Sequence, residues 1–356
     1  MNKVSATRPD RKKRIIIAGP CSAESPAQLM DTAVSLAKNR KVSYFRAGLW
    51  KPRTRPESFQ GVSDEGLEWM RQIKNETGLK IITEVATPQH VENCLKTGFD
   101  AVWIGARTVS NPFSVQQIAD ALAGAGIPVF IKNPMSPDID LWIGAIERVK
   151  KAGIKKTFAI HRGFHPYEKT RLRNIPKWEL ALELKTRCPN LPILCDASHI
   201  SGKSSLVPEI CQYALDLSFD GLMIEVHHHP PSARSDKQQQ LTPDDFDRLM
   251  KKLVFKAPHV DPIEKEIIQL RSRIDSVDMQ LLELIALRMG IVKNIGLLKQ
   301  KNHIAIFQLK RWKNILETRI KSGKELGISE DFLYQLLEMV HRESIRLQTK
   351  QNTGNH

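Results

Sequence analysis

Cysteine is scarce in this chain: five among 356 residues, an odd number at irregular spacing. That excludes a disulfide framework and makes a reducing compartment, the cytoplasm, the expected setting. Long apolar runs are missing as well. No stretch approaches the ~20 residues that span a bilayer, and the basic segment 1–14 has no apolar h-region, so it does not read as a secretory signal. Aromatic residues make up only 6% of the chain and do not interleave with basic blocks, which argues against nucleic acid as the reason for a net charge of +15. Many of the lysines and arginines stand instead at the ends of short apolar runs. That placement suits small polyanionic substrates. Neither a membrane nor a nucleic acid is expected as a partner.

What is present is a series of eight such runs in the first 225 residues: RIIIAGPC, VSYFRAGLWK, LKIITEV, AVWIGAR, PVFIKN, TFAIHRG, PILCDASH and GLMIEVHH. They close on Cys21, Arg46 with Lys51, Glu84, Arg107, Lys132, Arg162, His199 and Glu225. Helix-like segments lie between them at 26–40, 64–76, 88–97, 111–123, 138–151, 176–187 and 205–216, with a last one at 243–254. Strand and helix alternate eight times, which predicts an α/β fold, a parallel (β/α)8 TIM barrel with all eight strand ends on one rim. Nothing sizeable precedes the first strand, so no N-terminal regulatory domain is expected.

The segment FKAPHVDP (255–262) carries two prolines and reads as a linker. Beyond it, Leu270, Ile274, Val277, Leu281, Leu284, Ile291, Ile295 and Leu298 follow steps of four and three, the seam of one long helix. Shorter helices are expected near 306–322 and 329–349. The expected domains are therefore a barrel at 1–257, a linker at 258–263 and an all-α three-helix domain at 264–356. One helix this long cannot bury its seam alone, so a homodimer through it is expected, with higher assembly left open.

The rim has two kinds of chemistry. Cys21, His199, Glu225 and Asp236 could converge on one divalent ion, and thiolate, imidazole and carboxylate together suit a first-row transition metal. Singly, each has a plain structural reading: a small core cysteine, a satisfied core histidine. The run His227–His229 has the composition of a metal tract, although a structural loop accounts for it equally well. Arg46, Lys51, Arg53, Arg107, Lys132 and Arg162 form the second set. So many converging cations repel unless anions lie between them. A phosphorylated carboxylate plus a second phosphate ester would meet that need, and pairing with surface carboxylates is the alternative.

The stretches GPCSAES (19–25), KPRTRPESFQG (51–61), IGAR (104–107), IKN (131–133), HRG (161–163), DASHISGKS (196–204) and MIEVHHHPPSARSDKQQQL (223–241) resemble the 3-deoxy-D-arabino-heptulosonate 7-phosphate (DAHP) synthases, most closely the compact type Iβ branch. The resemblance covers about residues 14–255. It implies condensation of phosphoenolpyruvate with erythrose 4-phosphate. It also implies that Cys21, His199, Glu225 and Asp236 hold one divalent transition metal of the Mn, Fe, Co or Zn class, a Lewis acid for the aldehyde. By the same resemblance Arg46 and Lys51 take the phosphoenolpyruvate carboxylate, and Ala106 (through its backbone), Arg107, Lys132 and Arg162 take its phosphate. Arg53 and Thr54 hold erythrose 4-phosphate. Glu84 and Lys132 serve the water that attacks C2. A sister family that uses arabinose 5-phosphate shares the barrel, but its loop typically reads KANRSS. The KPRT at 51–54 here argues for the four-carbon aldehyde. The loop FHPYEKTRLRN (164–174) departs from the commoner forms.

In the helical segment Arg288 interrupts the apolar seam, and Lys299, eleven residues on, shares its face. A dimerisation arm with one tolerated polar residue would explain this. Yet residues 267–300, FQLKRW (307–312) and ESIRLQ (343–348) resemble the all-helical chorismate mutases, which are intertwined dimers with shared sites. The resemblance implies that Arg271 is donated to the partner chain's site and that Arg288 binds a carboxylate of chorismate. Lys299 and Gln348 face the ether oxygen, and Arg311 and Ser344 complete the pocket. Trp312 stands where many relatives have a glutamate that contacts the ring hydroxyl, a contact Gln308 could take. Prephenate is the expected feedback ligand of a chain with both activities. The alternative is a synthase whose helical domain mainly senses prephenate or chorismate and dimerises.

Overall fold

The computed structural model describes residues 14–52, 57–166, 170–255 and 261–353. Eight strands run in order: β1 (Ile15–Gly19), β2 (Tyr44–Arg46), β3 (Ile81–Val85), β4 (Ala101–Ile104), β5 (Val129–Lys132), β6 (Thr157–His161), β7 (Ile193–Asp196) and β8 (Gly221–Glu225). All neighbours pair in parallel, and β8 returns to β1, with Ile17 opposite Met223, to close the barrel.

Helices α1 (Pro26–Ala37), α2 (Glu65–Thr77) and α3 (Pro88–Thr97) follow the first three strands. A short α4 (Ala106–Val109) and then α5 (Pro112–Ala121) follow β4, α6 (Ile139–Lys151) follows β5, and α7 (Trp178–Arg187) follows β6. After β7 come α8 (Ala197–Ser201) and α9 (Val207–Asp216), and after β8 comes α10 (Pro243–Lys252). Several starts share one local device. Ser25, Thr87, Asn111 and Thr242 each accept a backbone N–H of the first turn through the side chain, and each precedes a proline whose missing N–H costs nothing there. Helix α3 stops at Gly98, which takes the left-handed conformation at φ 84°.

Two apolar layers hold the barrel. Ile17, Ile82, Trp103, Phe130, Ile160, Leu194 and Met223 fill the lumen, so the interior is a packed core and not a pore. A larger layer packs between strands and helices, for example Phe45, Leu29, Trp142 and Phe246.

The chain divides into two compact units, one through Pro258 and one from His259. The second unit holds α11 (Asp261–Lys301), α12 (Leu309–Glu325) and α13 (Glu330–Thr353). Helix α11 begins at Asp261, inside the stretch expected to be linker, because Pro262 is tolerated in a first turn. Of the large apolar residues described in this unit, only Val292 and Leu333 are buried. All eight seam residues named above are exposed in the single chain. Among the described residues no helix is long and apolar enough to cross a membrane.

His161 ends β6 in a box of Trp142, Phe164, Trp178 and Phe219. It is fully buried, neither ring nitrogen makes a hydrogen bond of normal geometry, and burial pushes its pKa down to about 3. The unfolded chain therefore takes up a proton below pH ~6.5 that the folded chain refuses, so this contribution to stability is present above that pH and is lost as pH falls. From pH 7 to pH 5 the loss amounts to about 2 kcal/mol. Urea unfolding at both pH values should show His161→Phe losing less stability than the wild type by that amount.

Candidate active site

The strand ends gather a cavity of roughly 350 Å³ whose wall includes Arg46, Lys51, Glu84, Arg107, Lys132, Arg162, Arg173, His199 and Asp236. Trp103, from the lumen core, contacts three of these wall residues. The indole Nε1 donates to Glu84 Oε2 at 2.9 Å. The ring face meets the Arg46 guanidinium at 4.9 Å and the Lys132 ammonium at 5.6 Å, both favourable cation–π distances. Gly105 lets Glu84 lie there, since a Cβ on Gly105 would overlap Glu84 Oε1.

Two of the buried cations, Arg46 and Lys132, are each matched by a buried carboxylate from a different strand. Arg46, 2% exposed, pairs with Glu225 Oε1 at 3.2 Å and donates to the Cys21 carbonyl, while its Nε and Nη1 have no partner. Lys132, 4% exposed, pairs with Asp196 Oδ2 at 2.7 Å. Asp196 also accepts from the backbone N–H of His199 and contacts its Nδ1 at 2.9 Å. Burial alone would raise the Asp196 carboxyl, but His199, Lys132 and Arg46 hold it well below the usual carboxylate range. Arg162 has no such partner. Its Nη1 donates to Asn174 Oδ1 at 2.9 Å, and burial pulls its pKa down to about 10, so it stays charged at neutral pH. Arg107 lines the cavity from an exposed position, and Ala106 starts the short helix α4 beside it.

Beside the cations lies an acid–thiol cluster. Single ligand atoms of Cys21, Glu225 and Asp236 all lie within 4.8 Å of one another. Cys21 Sγ donates to Asp236 Oδ2 at 3.2 Å. Lys51 Nζ lies 2.6 Å from Cys21 Sγ, so a cation already occupies the thiol's side. Burial, with Glu225 close by, pushes the Cys21 thiol up to about 12. Buried Glu225 Oε1 lacks a hydrogen bond. A thiol and two carboxylates, one with an oxygen that lacks a hydrogen bond, fit a transition-metal ion, which would lower the thiol pKa and use the spare lone pair. His199 stands outside that trio, with Nδ1 3.8 Å from Glu225 Oε1. Because Nδ1 faces Asp196, Nε2 is the nitrogen that would ligate. His227 is buried with Nδ1 accepting from the His229 N–H, a structural role. Arg53 and Thr54 lie outside the described residues.

Four residues of this site escaped the sequence reading. Asp196 is the true last residue of β7, and its place three before His199 was the available signal. Gln239 donates to Glu225 Oε2 and accepts from Arg173. Arg173, from the unusual loop after β6, pairs with Asp236 Oδ1 at 3.0 Å. Asn174, next to it, holds Arg162 and donates to the His199 carbonyl. Asp236 itself sits at φ 49°, a strained conformation for a non-glycine residue.

In the helical unit, Arg288 Nη1 donates to Ser344 Oγ at 2.7 Å, and Gln348 Nε2 donates to the Ser344 carbonyl. Lys299 Nζ donates to the Ile306 carbonyl at 2.6 Å. Arg271, Gln308 and Arg311 are exposed, and no hydrogen bond joins them to Arg288, Ser344 or Gln348.

A closed parallel barrel with paired cations and a thiol–carboxylate cluster at its mouth defines an anion-handling barrel enzyme, here followed by an all-helical unit. The chain belongs to the DAHP synthetase I family, whose family model matches residues 5–258. Residues 270–349 match chorismate mutase type II. The chain therefore carries a synthase domain of the transferase kind and an isomerase domain. It is 32% identical over 239 residues to a phospho-2-dehydro-3-deoxyheptonate aldolase of Thermotoga maritima, covering 67% of each chain. It is 28% identical over 291 residues to a 2-dehydro-3-deoxyphosphooctonate aldolase of Helicobacter acinonychis, covering 70% of this chain and 96% of that one. The crystal structure of DAHP synthase from Thermotoga maritima superposes with a TM-score of 0.60 at 31% identity, covering 67% of this chain and 68% of that chain.

Removing the anion that Lys132 and His199 share should be costly. Asp196→Asn is expected to lose about 3–5 kcal/mol of stability by leaving a buried ammonium unpaired. Glu209→Gln, which breaks the exposed pair with Arg171, should lose less than about 1 kcal/mol. Denaturant unfolding of the two variants checks the contrast.

Proposed function

We propose that the barrel condenses phosphoenolpyruvate with erythrose 4-phosphate to DAHP in a metal-dependent reaction, and that the helical unit rearranges chorismate to prephenate, in a cytoplasmic setting. The observation that carries the synthase reading is a cationic wall in direct contact with a thiol–carboxylate cluster beside one cavity. Phosphoenolpyruvate brings the anions that wall requires. Arg46, through its unpaired Nε and Nη1, and Lys51 take the carboxylate. Arg107, Lys132, Arg162 and the Ala106 backbone take the phosphate. Arg53 and Thr54 hold the phosphorylated aldehyde.

Cys21, His199, Glu225 and Asp236 would hold the ion, which supplies Lewis acidity toward the aldehyde oxygen when bound. Held between the two sets, the vinyl carbon of phosphoenolpyruvate meets the aldehyde carbon and forms the new bond. Glu84, anchored by Trp103, orients and deprotonates the water that adds at C2, with Lys132 beside it. Phosphate then leaves from the hemiketal, and Arg107, Lys132 and Arg162 stabilise it as it departs.

The mutase reading rests on Arg288 being held by Ser344 beside Gln348. The rearrangement is unimolecular and needs a clamp on two carboxylates and donors at the ether oxygen, not a base. In this reading Arg271, exposed on α11, is the residue a second chain would receive, Lys299 and Gln348 take the ether oxygen, and Gln308 and Arg311 complete the pocket. Prephenate, the product, is a feedback ligand for the synthase.

Stripping the protein with EDTA should abolish DAHP formation, and adding back manganese, iron, cobalt or zinc should restore it. Cys21→Ala should stay inactive and retain less metal by elemental analysis. Full activity of the stripped protein would sink the metal-dependent reading. A second outcome concerns assembly. Leu281→Glu with Leu284→Glu should turn a dimer into monomers in sedimentation and abolish chorismate turnover. A variant that stayed dimeric would show that another surface joins the chains.

A further inference from the structure

One polar group in the helical unit is left unused by the mutase reading. His341 lies on α13 three residues before Ser344 and seven before Gln348, so all three share one helical face. Its ring stacks flat on Trp312 of α12, with centroids 4.1 Å apart and planes at 12°, and Phe307 closes a second side at 5.9 Å. Burial, reinforced by the charge of Arg288 on α11, lowers its pKa from the ordinary value. The ring is therefore neutral near pH 7, with one nitrogen a donor and the other an acceptor. Its Nε2 is buried without a hydrogen-bond partner, and so is Gln348 Oε1 on the same face. Two orphaned polar atoms beside Arg288 and Ser344 are costly to keep unless a ligand completes them.

We propose that His341 is a substrate-binding residue of the helical site whose Nε2 takes the ring hydroxyl of the substrate, with Trp312 as the flat support that fixes the imidazole. This rests on the mutase reading and deepens it. A neutral imidazole beside a guanidinium suits an uncharged hydroxyl, while Arg288 takes the carboxylate. Gln308, the residue expected from sequence to take that contact, caps α12 from an exposed position, whereas His341 Nε2 is already desolvated.

The test uses the full chain with chorismate and with an analogue that lacks the ring hydroxyl. His341→Phe preserves the stack on Trp312 and removes only the nitrogens. Its kcat/KM for chorismate should fall about tenfold, the size of one lost hydrogen bond, while its kcat/KM for the analogue stays at the wild-type value. His341→Asn should recover part of the loss with chorismate. Unchanged analogue turnover in His341→Phe also shows that the variant folds. An equal loss with both compounds, or no loss with either, would overturn the proposal. A wild-type chain inert toward both would remove the mutase reading itself, a result distinct from either of those.

Discussion

The ion pair between Arg46 and Glu225 joins the two halves of the barrel site. Arg46 ends β2 and Glu225 ends β8, and both are buried where an unpaired charge costs several kcal/mol. In a single contact the pair therefore fixes both the cation proposed for a substrate carboxylate and the carboxylate proposed for the ion. Glu225 has further obligations. Gln239 donates to its second oxygen, and Ser198 Oγ accepts from its backbone N–H. The residue is thus held from three directions, two on its carboxylate and one on its backbone, which leaves it little freedom to move.

A parallel arrangement centres on Asp196, between Lys132 and His199. Here too a residue of the cationic wall and a residue beside the thiol cluster answer to one carboxylate. Both pairs stand near Trp103, whose indole belongs to the lumen core while its ring faces the cations and its N–H holds Glu84. The packed lumen is therefore the site's foundation. A change that let Trp103 tilt would displace Glu84, Arg46 and Lys132 together, without touching any contact among the three. Close backbone approaches, such as Gly105 against Glu84, tie the loop geometry to the same core.

Much of this was legible in the sequence because a parallel barrel converts order along the chain into position on a rim. Eight apolar runs predict eight strands, and residues that end six of those runs line the cavity. Cys21, Glu225 and Asp236 come together as ligand types at strand ends suggest. What stayed hidden is which wall residue answers to which. Asp196 reads as part of a motif, but its pairing with Lys132 depends on the stagger of β5 and β7, which no local pattern encodes. Arg173 belongs to a loop of unusual composition, so its contact with Asp236 had no periodicity to announce it. Gln239 links Arg173 to Glu225, where the chain after β8 has passed the left-handed Asp236.

The helical unit presents the opposite case. Its seam is plain in the sequence, yet a single chain leaves every seam residue exposed and buries only Val292 and Leu333 among the large apolar residues described. Fully burying one such side chain is worth about 1.5–3 kcal/mol, so most of the stability available to these helices lies in surface that one chain cannot cover. Arg288 sits within that seam, and its bond to Ser344 reaches from α11 to α13. The geometry of the clamp thus depends on how firmly α11 is held against α13. In the proposed dimer the second chain would set that firmness, and stability and site geometry in this unit would then depend on protein concentration. The barrel packs its core within one chain. The proposed dimer would thus join a site built on a core of its own to a site that assembly can tune.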